Sequence, residues 1–291
     1  MENVNIQKKT FKEKSTFKKM NKIPLYELFH RNSEINSLNA YNFSDIISKA
    51  LSDKDFINEC LTTKSLHKGK ETIELPSPNS QLTTLNLFDV ISKRRSVRNF
   101  SKEPITLEEL STILFYSSGV TGEYSETKDK PHMYLFAHPS AGGLMPLSSY
   151  VFVSNVKDID SGIYYYDPIR HFLKVIKKDF QSNDFKEITL SFNLSEQAAF
   201  VVYILGTISL MGYKYGDRGY RFMLLEAGHL AQNLYLVSTA IGAGAVASGG
   251  FLDGEIIDIL DLDKADTFVL YEVIIGKPNT ETDYRFMPQT F

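Results

Sequence analysis

The chain has 291 residues, is 43% hydrophobic and 23% charged, and carries a formal net charge of −3 at pH 7. That is ample material for a core in one large or two modest domains, and the near-neutral balance argues against nucleic acid as the main partner. A single cysteine, Cys60, excludes an internal disulfide framework and fits a reducing cytoplasm; the six histidines show no metal-ligand spacing, and no secretory or membrane-spanning apolar run is present.

Residues 1–22 are lysine-rich, with Lys8, Lys9, Lys12, Lys14, Lys18, Lys19 and Lys22 against Glu2 and Glu13. The expectation is a mobile tail, with an electrostatic contact to an acidic peptide or partner subunit as the alternative. Residues 23–80 form the next unit, a helical extension and linker. Leu25, Leu28 and Phe29 make one apolar face, and Phe43, Ile46, Ile47, Ala50 and Leu51 another, with Ser44-Asp45 as the expected cap. Cys60 falls in the same periodicity and is expected to be a buried structural thiol. Glu74-Leu75-Pro76-Ser77-Pro78-Asn79-Ser80 reads as the linker.

The main domain, residues 81–291, opens with helical spacing at Leu87, Val90 and Ile91. There follows Arg94-Arg95-Ser96-Val97-Arg98. Guanidinium forks match phosphate oxygens, and a serine adds a neutral hydrogen bond; taken alone, the three arginines read first as a solvated basic turn. Thr106 and Glu109 form a capping box for a helix from Leu107 to about Tyr116. Val120 to Lys130 reads as a loop, and His132 to Ala137 as a short strand. Pro139-Ser140-Ala141-Gly142-Gly143 is a small-residue turn that lets backbone approach a flat ligand.

Strands are expected at Ser149–Val153, at Gly162–Asp167 with Phe172–Ile176 as a hairpin, and at Ala198–Leu205. Lys214-Tyr215-Gly216-Asp217-Arg218-Gly219 leads into a long helix from Phe222 to about Ile241, stopped by Gly242. Gly242-Ala243-Gly244 follows a helix, not a strand, and fails as a dinucleotide-binding fingerprint. A strand at Ala245–Ala247 runs into Ser248-Gly249-Gly250-Phe251. Asp253 is expected to cap the next helix, and Phe268–Ile275 is the last strand.

The order R-R-S-V-R, P-S-A-G-G-L-M-P, K-Y-G-D-R-G-Y-R, L-L-E-A-G-H-L-A-Q-N-L, G-G-F and a terminal G-K-P resembles the SagB-type branch of the FMN-dependent nitroreductase superfamily. The likeness runs from about residue 85 to the C-terminus, and L-Y-E-L-F-H-R-N-S resembles the N-terminal extension of that branch. It implies an α+β fold: a mixed, mainly antiparallel sheet flanked by helices, in an intertwined homodimer with FMN at its interface. It also implies oxidation of thiazolines and oxazolines to thiazoles and oxazoles in a ribosomally made peptide cyclised by cyclodehydratase partners.

By the same resemblance Arg94, Arg95, Ser96 and Arg98 correspond to the FMN clamp, and Ser140 and Gly142 to a loop touching the flavin, often from the partner chain. Gly249 and Gly250 correspond to the turn whose backbone N–H faces the flavin N5, and Lys214 and Tyr215 to the active-site pair. His138 and Met145 depart from the arginine and the aromatic residue common in the family. The chemistry asks for such a pair: aromatising an azoline removes a hydride and a proton, and a tyrosine with pKa about 10 needs a neighbouring ammonium to act as base. Two other functions fit the same scaffold: an NAD(P)H-dependent nitro or quinone reductase, and a flavin-bearing structural subunit of a cyclodehydratase complex.

Overall fold

The computed structural model describes residues 23–61, 66–125 and 133–279, so the basic tail lies outside the described residues. The chain enters through three amphipathic helices, α1 (Leu25–Asn32), α2 (Ala40–Ser52) and α3 (Lys54–Leu61). Ser44 and Asp45 do not cap α2 but lie inside it, where Asp45 pairs with Lys49 at 2.7 Å. The helix starts earlier because Asn36 Oδ1 accepts the backbone N–H groups of Leu38 and Asn39, turning the chain before Ala40.

Glu74 is not linker but the end of strand β1 (Thr72–Glu74), which pairs with β8 (Phe172–Lys178) at one edge of the main sheet. Three residues are too few for alternation to show. The connection that follows is pinned to helix α5 (Leu107–Ser118): Ser111 Oγ donates to Pro76 O at 2.5 Å, and Asn79 N donates to Thr112 Oγ1 at 3.0 Å. Between them lies α4 (Leu87–Lys93), with Asn86 as its side-chain cap, and a two-residue strand β2 (Ile105–Thr106). The capping box of α5 forms as expected: Glu109 N donates to Thr106 Oγ1 at 3.2 Å and Thr106 N to Glu109 Oε2 at 2.9 Å.

Val120–Tyr124 is strand β3, not loop, and pairs with β4 (Met133–Phe136) in a separate two-stranded ribbon. Its residues are mostly exposed because the ribbon is not part of the main sheet; residues 126–130 of that expected loop lie outside the described residues. The remaining strands are β5 (Leu147–Val153), β6 (Val156–Lys157), β7 (Gly162–Asp167), β9 (Phe200–Thr207), β10 (Gly244–Ser248) and β11 (Thr267–Gly276). The main sheet runs β1-β8-β7-β5-β9-β11-β10, antiparallel at every pairing.

Alternation along β9 sorts the core. Phe200, Val202 and Ile204 pack with Leu110, Ile113 and Leu114 of α5 and Leu230 and Leu234 of α8 (Arg218–Ala240). Val201, Tyr203 and Leu205 pack on the opposite face, with Phe180, Phe185 and, from α9 (Asp253–Leu260), Ile256 and Leu260. Leu252 holds the N-cap position of α9, so Asp253 does not cap it; its carboxylate acts in the first turn, favourably to the helix dipole. The other helices are α6 (Phe192–Ser195) and α7 (Ile208–Tyr215).

Helix α8 starts four residues before Phe222. Gly219 permits this, since a Cβ there would lie 2.6 Å from the Met211 carbonyl oxygen of α7. It ends in a Schellman motif, with Ala243 N donating to Ser238 O at 2.8 Å, Gly242 N to Thr239 O at 3.3 Å, and Gly242 at φ +78°.

Two half-buried histidines brace this fold. His67 Nε2 lies 2.9 Å from Tyr150 Oη, and His171 lies 2.9 Å from Tyr166 Oη and 2.8 Å from Ser111 Oγ. Burial lowers both below the ordinary value of 6.5. The unfolded chain therefore takes up protons near pH 6.5 that the folded chain refuses until lower pH. Stability is expected to be full above pH 6.5 and to fall as pH drops through the folded values. Thermal melts between pH 8 and pH 5 (roughly, across the histidine range) test this, and His171→Asn should flatten part of the slope.

Candidate functional site

The arginine stretch leaves α4 in extended conformation, with Arg94 at φ −51°, ψ 125°. It lies along β10: Ser96 bridges Ala245, and Val97 N donates to Ala245 O at 3.0 Å. The approach is close enough that a Cβ on Gly244 would sit 2.8 Å from the Val97 side chain. Tyr235 of α8 ties the stretch down. Its ring lies under the Arg94 guanidinium at 5.4 Å, and its hydroxyl is 3.2 Å from Ser96 Oγ while accepting Ala247 N–H at 2.6 Å. Arg95 turns back to the Ser92 and Arg94 carbonyls, and Arg98 reaches the Ser96 carbonyl at 3.3 Å. Arg94 and Arg98 have no carboxylate partner among the described residues.

Gly249 and Gly250 follow β10 directly. Gly250 is tied inward: its N–H donates to Ser248 Oγ at 2.9 Å, and its carbonyl accepts from Leu190 N at 2.6 Å and Thr189 Oγ1 at 2.9 Å. Gly249 is exposed, and a Cβ there would meet nothing within 4 Å. From Ala245, beside Ser96, to Gly249 is roughly 13 Å of extended chain.

The second group gathers on the turn after β4. Ser140 closes it, its carbonyl accepting from Gly143 N at 3.2 Å and its hydroxyl from Met145 N at 3.0 Å. Gly142 sits at φ +63°. A Cβ at Gly142 would lie 2.2 Å from Tyr215 Oη and 2.6 Å from Lys214 Nζ, so both side chains of the pair converge on this residue. Lys214 is buried, with Nζ 5.2 Å from the Tyr215 ring centroid. The pair closes α7, and Gly216 at φ +57° breaks the helix after it. Phe222 packs edge-on against Tyr215 at 5.0 Å and Phe43 of α2 stacks at 6.4 Å. The N-terminal extension thus forms one wall of the pair. Tyr213–Asp53 and Arg218–Ser33 hydrogen bonds, at 2.5 and 2.7 Å, fasten it there.

Beneath the turn lies a pair not anticipated from the sequence. Glu226 Oε2 accepts Ala141 N–H at 3.4 Å, and Glu226 Oε1 is 3.5 Å from His138 Nε2, both residues being buried. A signal was present: Glu226 is an acid between Met223, Ala227 and Leu230 on the buried face of α8. Tyr235, likewise unforeseen, carried no signal, because a tyrosine at helical spacing reads as packing.

Gly143, on the outer side of the turn, faces a cleft of about 420 Å³ lined by Cys60, Leu144, Met145, Leu210 and Asp266 among others. Cys60 is half-buried on this cleft, not sealed in the core as expected, because α3 keeps one flank on it. The two groups, Arg94-Ser96-Gly249 and Ser140-Gly142-Lys214-Tyr215, sit toward opposite ends of α8. Among the described residues no group of three or more His, Cys, Asp or Glu side chains is placed to hold a metal, and no helix is long and apolar enough to cross a membrane.

The model of the nitroreductase family matches residues 91–277. A Methanocaldococcus jannaschii protein named as a nitroreductase is 37% identical over 159 residues, 55% of this chain and 76% of that one. Among solved structures, a nitroreductase-type protein of Anabaena variabilis matches with a TM-score of 0.60 at 27% identity, over 72% of this chain. This chain spans only 42% of that protein's length. One from Ralstonia eutropha gives a TM-score of 0.55 at 22% identity, over 72% of this chain and 90% of that one. A chain of the E. coli microcin synthetase McbBCD complex, with truncated pro-MccB17 bound, gives 0.54 at 18% identity, over 85% of this chain and 99% of that one. The family model covers well over half of the sequence and the archaeal relative is matched over most of its length, so this chain belongs to the nitroreductase family and has its α+β fold.

Proposed function

We propose that this oxidoreductase is an FMN-dependent azoline dehydrogenase, acting as a homodimer on a ribosomally made peptide cyclised by cyclodehydratase partners. The observation that carries this is the convergence of Lys214 Nζ and Tyr215 Oη on the Gly142 turn. A simple nitro reduction with NAD(P)H has no need of a buried lysine beside a tyrosine; removing a proton from an azoline carbon does. The match to the microcin synthetase chain supports it further. It spans 85% of this chain, more than residues 91–291 can supply, and so reaches into the first 90 residues.

The chain fits FMN. Arg94 and Arg98, unmatched by carboxylates, with Ser96 between them, would hold the phosphate. The exposed Gly249 would let the flavin ring approach the backbone. Bound FMN supplies the hydride acceptor. Tyr215 Oη takes the proton, and the Lys214 ammonium offsets the negative charge the tyrosine must carry to do so. The cleft beyond Gly143 gives the peptide room beside the turn. Exposed Leu87, Phe88 and Ile91 on α4 and Leu224 and Leu225 on α8 offer apolar surface for the dimer, through which Ser140 and Gly142 would meet the partner's flavin.

The test is mass spectrometry of an azoline peptide incubated with the FMN-loaded protein, watching for loss of two hydrogens per ring. The yellow protein should release FMN on denaturation, and Arg94→Ala should weaken FMN retention by about tenfold or more, the loss of a charge-assisted fork. A second function, NAD(P)H-dependent nitro or quinone reduction, draws on the 37% identical relative named as a nitroreductase. Rapid NAD(P)H-driven turnover of nitroarenes with no azoline oxidation would select it. A flavin-bearing structural subunit would show neither activity.

A further inference from the structure

Glu272 is fully buried in β11 and lies opposite Ser248 of β10. No cation among the described residues neutralises it. Its partners are hydroxyls: Tyr203 donates to Oε1 at 2.7 Å, and Thr189 Oγ1 lies 3.3 Å from Oε2. Thr189 Oγ1 also lies 2.9 Å from the Gly250 carbonyl and accepts Ser191 N–H at 3.0 Å.

Counting protons decides the arrangement. A threonine hydroxyl has one hydrogen to give. The Gly250 carbonyl can only accept and is the closer partner, so the Thr189 hydrogen goes there. The contact between Thr189 and Glu272 then needs its hydrogen from the carboxyl. A buried carboxyl with no cation beside it among the described residues favours that form, and desolvation raises Glu272 above the usual carboxylate range, an effect reduced by its contacts with the Tyr203, Thr189 and Ser248 hydroxyls. An ionised Glu272 would instead draw the Thr189 hydrogen to itself and leave the Gly250 carbonyl to Leu190 N alone.

We propose that Glu272, held as the neutral acid, is a positioning residue for the Gly249–Gly250 turn, donating to Thr189, which in turn donates to the Gly250 carbonyl. Ser248 completes the hold by accepting Gly250 N–H, and its own hydroxyl is 2.6 Å from Ser191 Oγ. Both backbone groups of Gly250 are thereby fixed inward, and Gly249 is presented outward. The neutral form also keeps an uncompensated negative charge from lying behind a surface that would receive an electron-accepting ring. The role in cofactor binding rests on the FMN assignment above; the protonation state does not.

Two measurements on the full chain test it. Infrared difference spectra of wild type against Glu272→Gln, recorded without cofactor at neutral pH, should show a protonated-carboxyl C=O band that the variant lacks. A carboxylate band in its place would overturn the proposal. FMN titration by fluorescence quenching, with the flavin midpoint potential, then reads the positioning. Glu272→Gln keeps a donor for Thr189 and an acceptor for Tyr203, and should bind FMN as wild type does with an unchanged potential. Thr189→Val breaks the chain of donors at its middle and should weaken FMN binding about tenfold and shift the potential. Wild-type FMN binding in Thr189→Val, or equal losses in Glu272→Gln and Thr189→Val, would sink the positioning role. Wild-type protein that ignores FMN would remove the cofactor assignment instead, while the infrared result would stand by itself.

Discussion

Tyr215→Phe is expected to lower azoline oxidation by about 10²–10⁴-fold, the usual contribution of a general acid–base group, while the protein still folds and binds FMN. The substitution keeps the ring that packs between Phe43 and Phe222 and removes only the oxygen that meets Gly142. The clamp proposed at Arg94 to Arg98 lies toward the other end of α8, so visible absorption of the flavin should survive. Lys214→Ala should cause a comparable loss, with some cost in stability because the buried aliphatic stem is lost as well. Mass spectrometry of the azoline peptide at saturating FMN measures both. Wild-type rates in the two variants, with FMN bound, would remove the assignment of this pair to the chemistry.

Gly142→Ala should lower activity by about 100-fold, of the order seen when reacting groups are misplaced by about an ångström. The new Cβ would occupy the space of Tyr215 Oη and Lys214 Nζ, at 2.2 and 2.6 Å. Both obstacles are ends of flexible side chains, so they move and the fold persists. The left-handed backbone adds strain of about 1 kcal/mol. Gly143→Ala is the control. Its φ is +68°, and the nearest neighbour of its Cβ would be Met133 Cε at 3.7 Å. It suffers the same backbone strain without the obstruction. Both variants should melt slightly lower, and only Gly142→Ala should lose turnover. Equal activity losses in the two would mean that strain, not the placing of the pair, governs the site.

Much of this architecture is legible in the residues, for reasons that also explain what is not. Strand β9 and helix α8 announce themselves because each is long, apolar at its own period and bounded by turn residues or a glycine stop. The capping box at Thr106 and Glu109 is a local device and needs no tertiary information. Strand β1 is too short to have a period, and β3 is mostly exposed because its ribbon stands apart from the main sheet. The early start of α8 depends on Gly219 meeting the backbone of Met211, a contact that sequence spacing does not show. The meeting of Gly142 with Lys214 and Tyr215 joins residues about 70 positions apart. Motif order implies each part separately, and only packing brings them together. Tyr235 and Glu272 belong to no motif read from the sequence, and Glu226 lies in one whose order gives it no role; each is a polar group whose role is set by what the fold places beside it.

Helix α8 is also a spacer. From Phe222, which packs against Tyr215, to Tyr235, which carries Arg94 and Ser96, it rises roughly 20 Å. In the dimer proposed above, each site would borrow one half from either chain, so damage would not simply accumulate. A polypeptide spoiled at Arg94 and another spoiled at Tyr215 would both be silent in their own homodimers. Paired with each other, they would leave one site with both lesions and the other with none. Two defective alleles in one cell could therefore restore what neither encodes alone, and inheritance of the activity would follow the assembly, not the single chain.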